Sequence, residues 1–312
     1  MVAVAVPRAD RVADALTLAP GWRTRFAPAP TGYLHLGHVV NAIHVWGMAR
    51  AHHGLVVLRV EDHDRTRCRA VYERALLDDL DWLGFFPDVA PTSAFRAGAT
   101  PHRQSDNDWR YAAAITALEL RDRVYTCRCS RGDIARLVPD VANEEMRYPG
   151  TCRDLELPPD ASMQRRVILD DEPERFFDLR VGPQEQRPAQ QCGDLLVRDR
   201  LGQWTYQFAV TVDDLEDKID LVIRGEDLLP STGRQRALAR LLGRKKSALF
   251  LHHPLIRKPG GEKLSKSAGD SGVRDLRRAG LTPAEVIGRA AKAAGLIENG
   301  SLAAEDVGAL FA

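Results

Sequence analysis

Apolar positions along the chain switch between helical and extended spacing. Val39, Val40, Ile43, Val45, Trp46 and Ala49 recur at helical intervals, which predicts a helix beginning close to His35. A brief extended piece, Arg25-Phe26-Ala27, precedes it, followed by Pro28 and Pro30, which fix φ and forbid helix, and by the turn residues Thr31-Gly32. Gly54 closes the helix, and Leu55–Val60 is a short, nearly continuous apolar run of the kind expected for a buried parallel strand. It ends in Glu61-Asp62-His63-Asp64, charged residues at the carboxyl end of a strand in a strand–helix–strand order. A helix is expected over 72–83 from Leu76, Leu77, Leu80, Trp82 and Leu83, ended by Gly84, and another over 106–121 after a Pro/Gly/Ser-containing connection.

Past residue 121 the pattern shortens. Residues 155–191 are polar, with five prolines (158, 159, 173, 183 and 188), and read as short antiparallel strands in an inserted subdomain. Asp194–Arg198, Gly202 and Thr205–Val212 read as a hairpin leading into a helix that ends at Asp213-Asp214. Ile219–Arg224 is a second parallel-strand candidate, closed by Gly225-Glu226-Asp227, and Ser231-Thr232 is expected to cap a helix carrying Ala237, Leu238, Leu241 and Leu242. Thr282 or Pro283 opens a last helix running to Ala294. Residues 1–22 read as a ragged extension, with a short helix around 10–16 and no assigned chemistry.

Composition changes this picture little. With 312 residues, 44% of them hydrophobic, the chain buries a real core as one large domain with an insertion or as two domains. The net charge of +1 neither demands nor excludes a nucleic-acid partner. Arginine far outnumbers lysine among the 44 basic residues, a bias that a GC-rich genome also produces. No stretch approaches a membrane span and the N-terminal residues do not form a signal peptide, so a cytoplasmic protein, monomeric and without membrane contact, is expected.

Three places carry candidate chemistry. His35 and His38 flank Gly37 at a helix start, where free N–H groups and imidazoles attract phosphate; two surface histidines on an ordinary first turn are the plainer alternative. Gly37 there costs roughly 1 kcal/mol against alanine, so the backbone or a ligand is expected to come close. Cys127, Cys129 and Cys152 fall within a short span with Tyr148 nearby, a set that suits tetrahedral Zn²⁺, although buried free cysteines are common; Cys68 and Cys192 read as packing residues. Lys263 and Lys266, with hydroxyls close by on a Gly-rich loop, suit a polyphosphate or form a solvated turn.

Taken together, the motifs resemble the class I aminoacyl-tRNA synthetases of the glutamyl type, from about Thr24 to Gly295. His35-Leu-Gly-His38 is similar to the family's HIGH signature and Lys263-Leu-Ser-Lys266-Ser267 to its KMSKS loop. Arg25–Gly32, Arg59-Val-Glu61-Asp62 and Val222–Leu228 narrow the resemblance to the glutamate and glutamine branch. Full-length glutamyl members continue for well over a hundred residues past that loop, whereas this sequence stops at Ala312; together with the cysteines, this resembles the truncated paralogues of the branch, the glutamyl-Q tRNA(Asp) synthetases.

The resemblance implies an α/β fold: a Rossmann-type parallel sheet, an inserted zinc-bearing α+β subdomain and a short helical C-terminal tail. The expected divisions are an extension (1–22), the first half of the catalytic domain (23–105), an insertion (106–192), the second half (193–255), and the loop with C-terminal helices, lacking an anticodon-binding domain (256–312). It implies ATP-dependent activation of L-glutamate without tRNA, with Mg²⁺ accompanying ATP, and transfer to queuosine in the anticodon of tRNA(Asp). His35, His38, Lys263 and Lys266 would act on the phosphates, with Gly37 also at the ATP. Arg25, Phe26, Ala27, Pro28, Ala29, Glu61, Tyr206 and Arg224 would surround glutamate: Arg25 on its side-chain carboxylate, Arg224 on its α-carboxylate, and Glu61 with Tyr206 on its ammonium. Cys127, Cys129, Cys152 and Tyr148 or a water would hold one structural zinc. Ala29 stands where the family usually has serine, removing one hydroxyl hydrogen bond worth about 0.5–1.5 kcal/mol.

Overall fold

Strand β1 (Arg23–Phe26) pairs in parallel with β2 (Leu55–Leu58) through the helix α1 (Leu36–Ala51), as the apolar runs on either side of that helix require. This is a computed structural model, which describes residues 18–138, 145–160, 162–256 and 272–312. Helix α1 is buried on nearly every face, from Val39 to Ala49, so its apolar residues are not confined to one stripe. Phe26 packs on Trp46, with ring centroids 5.3 Å apart, at the centre of the largest core cluster. Trp22, assigned to a ragged extension by sequence, belongs to that core: its indole donates to the His52 carbonyl at 2.7 Å and lies against Gly54. The expected helix around 10–16 lies outside the described residues.

Helix α2 (Ala70–Leu83) ends at Gly84, whose φ of +82° is the left-handed conformation anticipated there. Helix α3 (Asp108–Glu119) leads into β3 (Val124–Cys127), which with β4 (Gln164–Val167) and β7 (Leu195–Arg198) forms an antiparallel sheet in the order β3-β4-β7. Between β4 and β7 runs the hairpin β5 (Glu174–Asp178) and β6 (Gly182–Gln186). The hairpin joins a different sheet. Asp178 pairs in parallel with Phe250 of β9 (Leu249–His253), and β9 pairs in parallel with β8 (Leu221–Gly225), giving the order β6-β5-β9-β8. The starts of β8 and β1 are stitched by Asp220 N–H to the Arg23 carbonyl at 2.8 Å and Arg23 N–H to the Asp220 carboxylate at 3.0 Å. The two parallel pairs therefore lie side by side, and the N-terminus of α1 stands at the carboxyl end of β1.

Two expectations fail locally. Thr205–Val212 is not a strand: Tyr206–Glu216 is a helix, here α4, and Asp213 and Asp214 lie inside it rather than at its end. Its residues Phe208 to Asp214 are all buried, so helical periodicity is invisible, and the aromatic and β-branched composition imitates a strand. What remains of the hairpin is a single antiparallel bridge between Arg198 and Trp204. Nor does Ser231 cap α5 (Thr232–Leu241) through its hydroxyl; a 3₁₀ turn over 226–231 feeds directly into the helix, and Ser231 Oγ accepts from Gln207 at 3.0 Å instead. The last predicted helix, α6 (Pro283–Ala293), has the full capping box, Thr282 with Glu285. After it, a 3₁₀ turn over 304–310 packs on α1, where Gly47 leaves room for the ring of Phe311. Among the described residues no helix is long and apolar enough to cross a membrane.

Candidate active site and metal centre

The N-terminus of α1 is capped by two imidazoles. His35, in an extended conformation at φ −131°, accepts the Gly37 N–H on Nδ1 at 3.1 Å, while His38 Nδ1 accepts the His35 N–H at 3.1 Å. The rings lie 4.0 Å apart between centroids. Because each Nδ1 is an acceptor, a neutral ring carries its proton on Nε2, which makes each ring's own N–H a donor at this helix end. Gly37 now has its reason: a Cβ would sit 2.9 Å from His35 Cε1 and 3.0 Å from Nδ1, so the close neighbour is the His35 ring. Gly272, which follows Lys263 and Lys266 in the sequence, bridges to His35. Both lysines lie outside the described residues.

Beside this helix end the sheet buries an unusual density of charge. Arg59, 1% exposed, donates to Asp217 at 3.1 Å, Glu61 at 3.0 Å and Asp214 at 2.8 Å, with Asp213 at 3.9 Å. Burial opposes its charge, but these four carboxylates hold it well above the usual guanidinium range. Arg25 donates to the same Asp214 oxygen at 3.1 Å and to the Ile223 carbonyl at 3.3 Å. Burial would raise Asp214; Arg25 and Arg59 outweigh it and keep the carboxyl low. Asp213, more deeply buried and next to Asp217, is raised despite Arg59, Gln104 and Arg110. Removing one member of such a network leaves a buried charge uncompensated, at about 3–5 kcal/mol.

Arg224 differs. It is 4% exposed, and its three hydrogen bonds run to neutral acceptors: Nε to His252 Nε2 at 3.0 Å, Nη1 to Gln235 at 2.6 Å and Nη2 to Thr232 at 2.9 Å. Among the described residues it has no carboxylate within ion-pair distance. Burial lowers it and Arg25 repels it, only partly offset by the Tyr206 hydroxyl beside it and by the more distant Asp214. A buried cation so placed attracts an anion. Behind it, His252 Nδ1 meets Asp178 Oδ2 at 2.6 Å, both residues fully buried. Burial holds His252 below the usual imidazole range against the pull of Asp178. For Asp178 itself burial is outweighed by hydrogen bonds from His252 and from the N–H groups of Val181 and Arg180, which keep it ionised.

The fold thus brings Arg25, Glu61, Tyr206 and Arg224 to one region. Glu61 gives one carboxylate oxygen to Arg59, and its Oε2 accepts no hydrogen bond among the described residues. Tyr206 stays a phenol, raised first by burial and then by Glu61. Phe26 turns its side chain into the core, and the Phe26 and Pro28 carbonyls accept from Arg59 and Glu61 N–H at 3.0 and 3.1 Å, so these two residues serve to join the strand ends. Ala27 and Ala29 are half-buried alongside. Sequence reasoning missed Asp178, His252, Thr232 and Gln235. The signal for Arg59 was available, since a charge in an apolar strand run needs buried partners, and Asp213 and Asp214 lie in one helix with Asp217 just past its end.

Farther along, β3 delivers Cys127 and Cys129 to Cys152. The three sulfurs lie within 4.8 Å of one another, Cys129 to Cys152 being 3.5 Å, and all are buried. Tetrahedral thiolates at 2.3 Å from a zinc ion stand about 3.8 Å apart, so the spacing fits. Tyr148 Oη is 3.4 Å from Cys127 Sγ but also accepts the Cys152 N–H at 2.9 Å, and Arg166 donates to Cys127 Sγ at 3.3 Å while stacking on the Tyr148 ring at 3.7 Å. Burial would raise the Cys152 thiol; hydrogen bonds from the Arg128 N–H and Tyr148 bring it below the usual range, whereas burial pushes Cys129 up to about 11. The cluster could hold a metal.

Residues 22–288 match the catalytic domain of the class I tRNA synthetases (E and Q). The chain belongs to this family. It has the class I synthetase fold and is an ATP-dependent ligase. A glutamyl-Q tRNA(Asp) synthetase of Symbiobacterium thermophilum is 39% identical to this synthetase over 287 residues, 88% of this chain and 87% of the relative. One from Ralstonia nicotianae is 39% identical over 272 residues, 84% and 83% of the two chains. A glutamate tRNA ligase from Elizabethkingia meningosepticum, solved in complex with its amino acid, is similar with a TM-score of 0.75 and 26% identity. The match covers 92% of this synthetase and 64% of that ligase, so the chain spans just under two thirds of the solved protein.

Proposed function

We propose that this synthetase activates L-glutamate with ATP, without tRNA, and transfers it to queuosine in the anticodon of tRNA(Asp). The observation that carries amino-acid binding is Arg224, a buried guanidinium hydrogen-bonded to neutral acceptors and close enough to Arg25 to feel its charge; the choice of glutamate falls to Arg25. Two buried guanidinium groups suit a dicarboxylic amino acid: Arg224 takes the α-carboxylate, Arg25 the side-chain carboxylate, and Glu61 with Tyr206 the ammonium. The acceptor rests on the relatives named glutamyl-Q tRNA(Asp) synthetase, of which the chain covers 87% and 83%.

In this reading an α-carboxylate oxygen of glutamate attacks the α-phosphorus of ATP and the bond to pyrophosphate breaks. The reaction needs the two anions held together and the charge on the phosphate oxygens stabilised, not a protein nucleophile. His35 and His38 donate through Nε2–H beside the helix N-terminus, Gly37 permits that arrangement, and Lys263 and Lys266 supply positive charge, with Mg²⁺ on the ATP. A hydroxyl of the queuosine ring then attacks the activated carbonyl and AMP leaves. The catalytic halves take residues 23–105 and 193–255 together with β5 and β6, which join their sheet, while the rest of 106–192, whose antiparallel sheet also takes in β7, helps hold the RNA, stabilised by one structural zinc on Cys127, Cys129 and Cys152 with Tyr148 or water as fourth ligand. Such a ligase works in the cytoplasm, where tRNA is.

The test is ATP–pyrophosphate exchange with glutamate, glutamine or aspartate in the absence of tRNA, followed by transfer of labelled glutamate to tRNA(Asp) with and without queuosine. Exchange is expected with glutamate alone, and label only on queuosine-containing tRNA(Asp). Label recovered instead on the 3′ adenosine of tRNA(Glu) would replace the proposed acceptor with a tRNA end.

A further inference from the structure

Arg224 is aimed by a device that the chain assembles from two distant segments. Asp178 Oδ1 accepts the backbone N–H groups of Arg180 and Val181, both at 3.0 Å, which fixes the carboxylate and turns Oδ2 toward His252. Oδ2 then takes the His252 backbone N–H at 3.1 Å and faces its Nδ1 at 2.6 Å. With an ionised carboxylate on that side, the ring proton sits on Nδ1, and Nε2 is left as a lone-pair acceptor. That acceptor faces Arg224 Nε at 3.0 Å and the Thr232 hydroxyl at 3.2 Å. Gln235 and Thr232 hold the other two nitrogens, and Gln235 is fixed in turn by Gln207 at 2.7 Å. The guanidinium plane is thus set by three acceptors, one on each nitrogen, none of which neutralises it. The second N–H on each Nη remains for Tyr206 and for an incoming carboxylate.

We infer that Asp178 and His252 are positioning residues for amino-acid binding: by fixing the His252 tautomer they hold Arg224 in the plane in which it receives the α-carboxylate of the amino acid. This rests on the assignment of Arg224 to that carboxylate. The alternative arrangement, a carboxylate touching Arg224 directly, would orient it equally well but would cancel the charge that the substrate needs. Placing the acid one imidazole away keeps the orientation and leaves the cation.

Asp178→Asn tests this with almost no change in volume. With the Asn oxygen kept on the Arg180 and Val181 N–H groups, only the His252 backbone N–H loses its acceptor, whereas the reverse orientation orphans two; the NH₂ therefore faces His252 and forces the proton to Nε2, where it opposes Arg224 Nε–H. In ¹⁵N spectra of the free protein, the His252 signals are expected to change from Nδ1–H to Nε2–H. In ATP–pyrophosphate exchange the KM for glutamate is expected to rise at least about tenfold while the KM for ATP stays within about twofold. His252→Phe, which keeps a ring against Phe250, is expected to do the same, and His252→Gln, whose amide can again offer an oxygen to Arg224, to recover part of the loss. An unchanged glutamate KM in an Asp178→Asn protein whose tautomer has reversed overturns the inference, as does an Nε2–H tautomer in the wild type. If Asp178→Asn does not fold, equal glutamate KM values for the Phe and Gln variants overturn it. Wild-type protein that exchanges with no amino acid would overturn the functional reading instead, and the tautomer in the spectra would still decide the Asp178–His252 arrangement.

Discussion

Gly37→Ala separates what the first turn of α1 does for stability from what it does for chemistry. In a helix this change ordinarily stabilises by about 1 kcal/mol, since alanine loses less backbone freedom on folding. Here the new Cβ meets His35 Cε1 at 2.9 Å and Nδ1 at 3.0 Å, closer than such atoms approach, so the ring must swing out. The 3.1 Å cap from Gly37 N–H to His35 Nδ1 goes with it, and losing an N-cap acceptor costs about 1 kcal/mol. The two effects nearly cancel, so the melting temperature should stay within a few degrees of wild type. Catalysis has no such compensation. If the Nε2–H of His35 stabilises the transferring phosphate, its displacement removes about 2–3 kcal/mol from the transition state, a fall of roughly 30- to 150-fold in exchange rate. Thermal unfolding and ATP–pyrophosphate exchange on the same preparation give both numbers. A Gly37→Ala protein exchanging within threefold of wild type would refute the role given to this ring.

Protein purified without chelator should contain one zinc per chain, and Cys129→Ser should lose most of it; a variant with wild-type zinc content would take Cys129 out of the ligand set. Asp79, buried at 4% exposure, has a carboxyl raised to about 6, first by burial and only partly countered by Arg277. Its folded pKa lies above the ordinary 3.8, so the fold binds the extra proton: this contribution to stability is present below about pH 4 and is lost as pH rises through 6. Asp79→Asn should therefore stabilise at pH 7.5, by at most about 3 kcal/mol, and hardly at pH 4. Denaturant melts at the two pH values showing equal effects would contradict the assignment.

The α/β order was legible because its strands are short apolar runs between turn residues, as at Leu55–Leu58 and Leu221–Gly225. The helix end at His35–His38 was legible because glycine in a first turn asks for a reason. Tyr206–Glu216 was misread where burial on all sides erases the period that distinguishes helix from strand. The supports of the site were hidden for another reason. Asp178 and His252 are 74 residues apart, and β5 reaches the main sheet through a single parallel pairing with β9. Nothing local in either segment marks it as half of a pair; only the sheet order brings them together. Arg59 was quoted as part of a motif, but its distant partners Asp213, Asp214 and Asp217 lie at the end of a helix whose earlier turns, Thr205–Val212, the composition presents as a strand.

The Arg59 network also sets a timetable. Its partner Asp214 lies 155 residues downstream, so at about 5–20 residues per second a ribosome takes roughly 8–30 s to deliver the acid after the arginine. Throughout that interval β1, α1 and β2 can be synthesised but not sealed, because closing the sheet over Arg59 with Glu61 alone would bury a guanidinium still short of three carboxylates. The nascent N-terminal part should therefore stay open until α4 arrives, when burial of the strand becomes favourable. A chain interrupted before residue 213 would keep Arg59 wet and its apolar strands exposed, which makes such fragments substrates for chaperones and proteases rather than half-built enzymes.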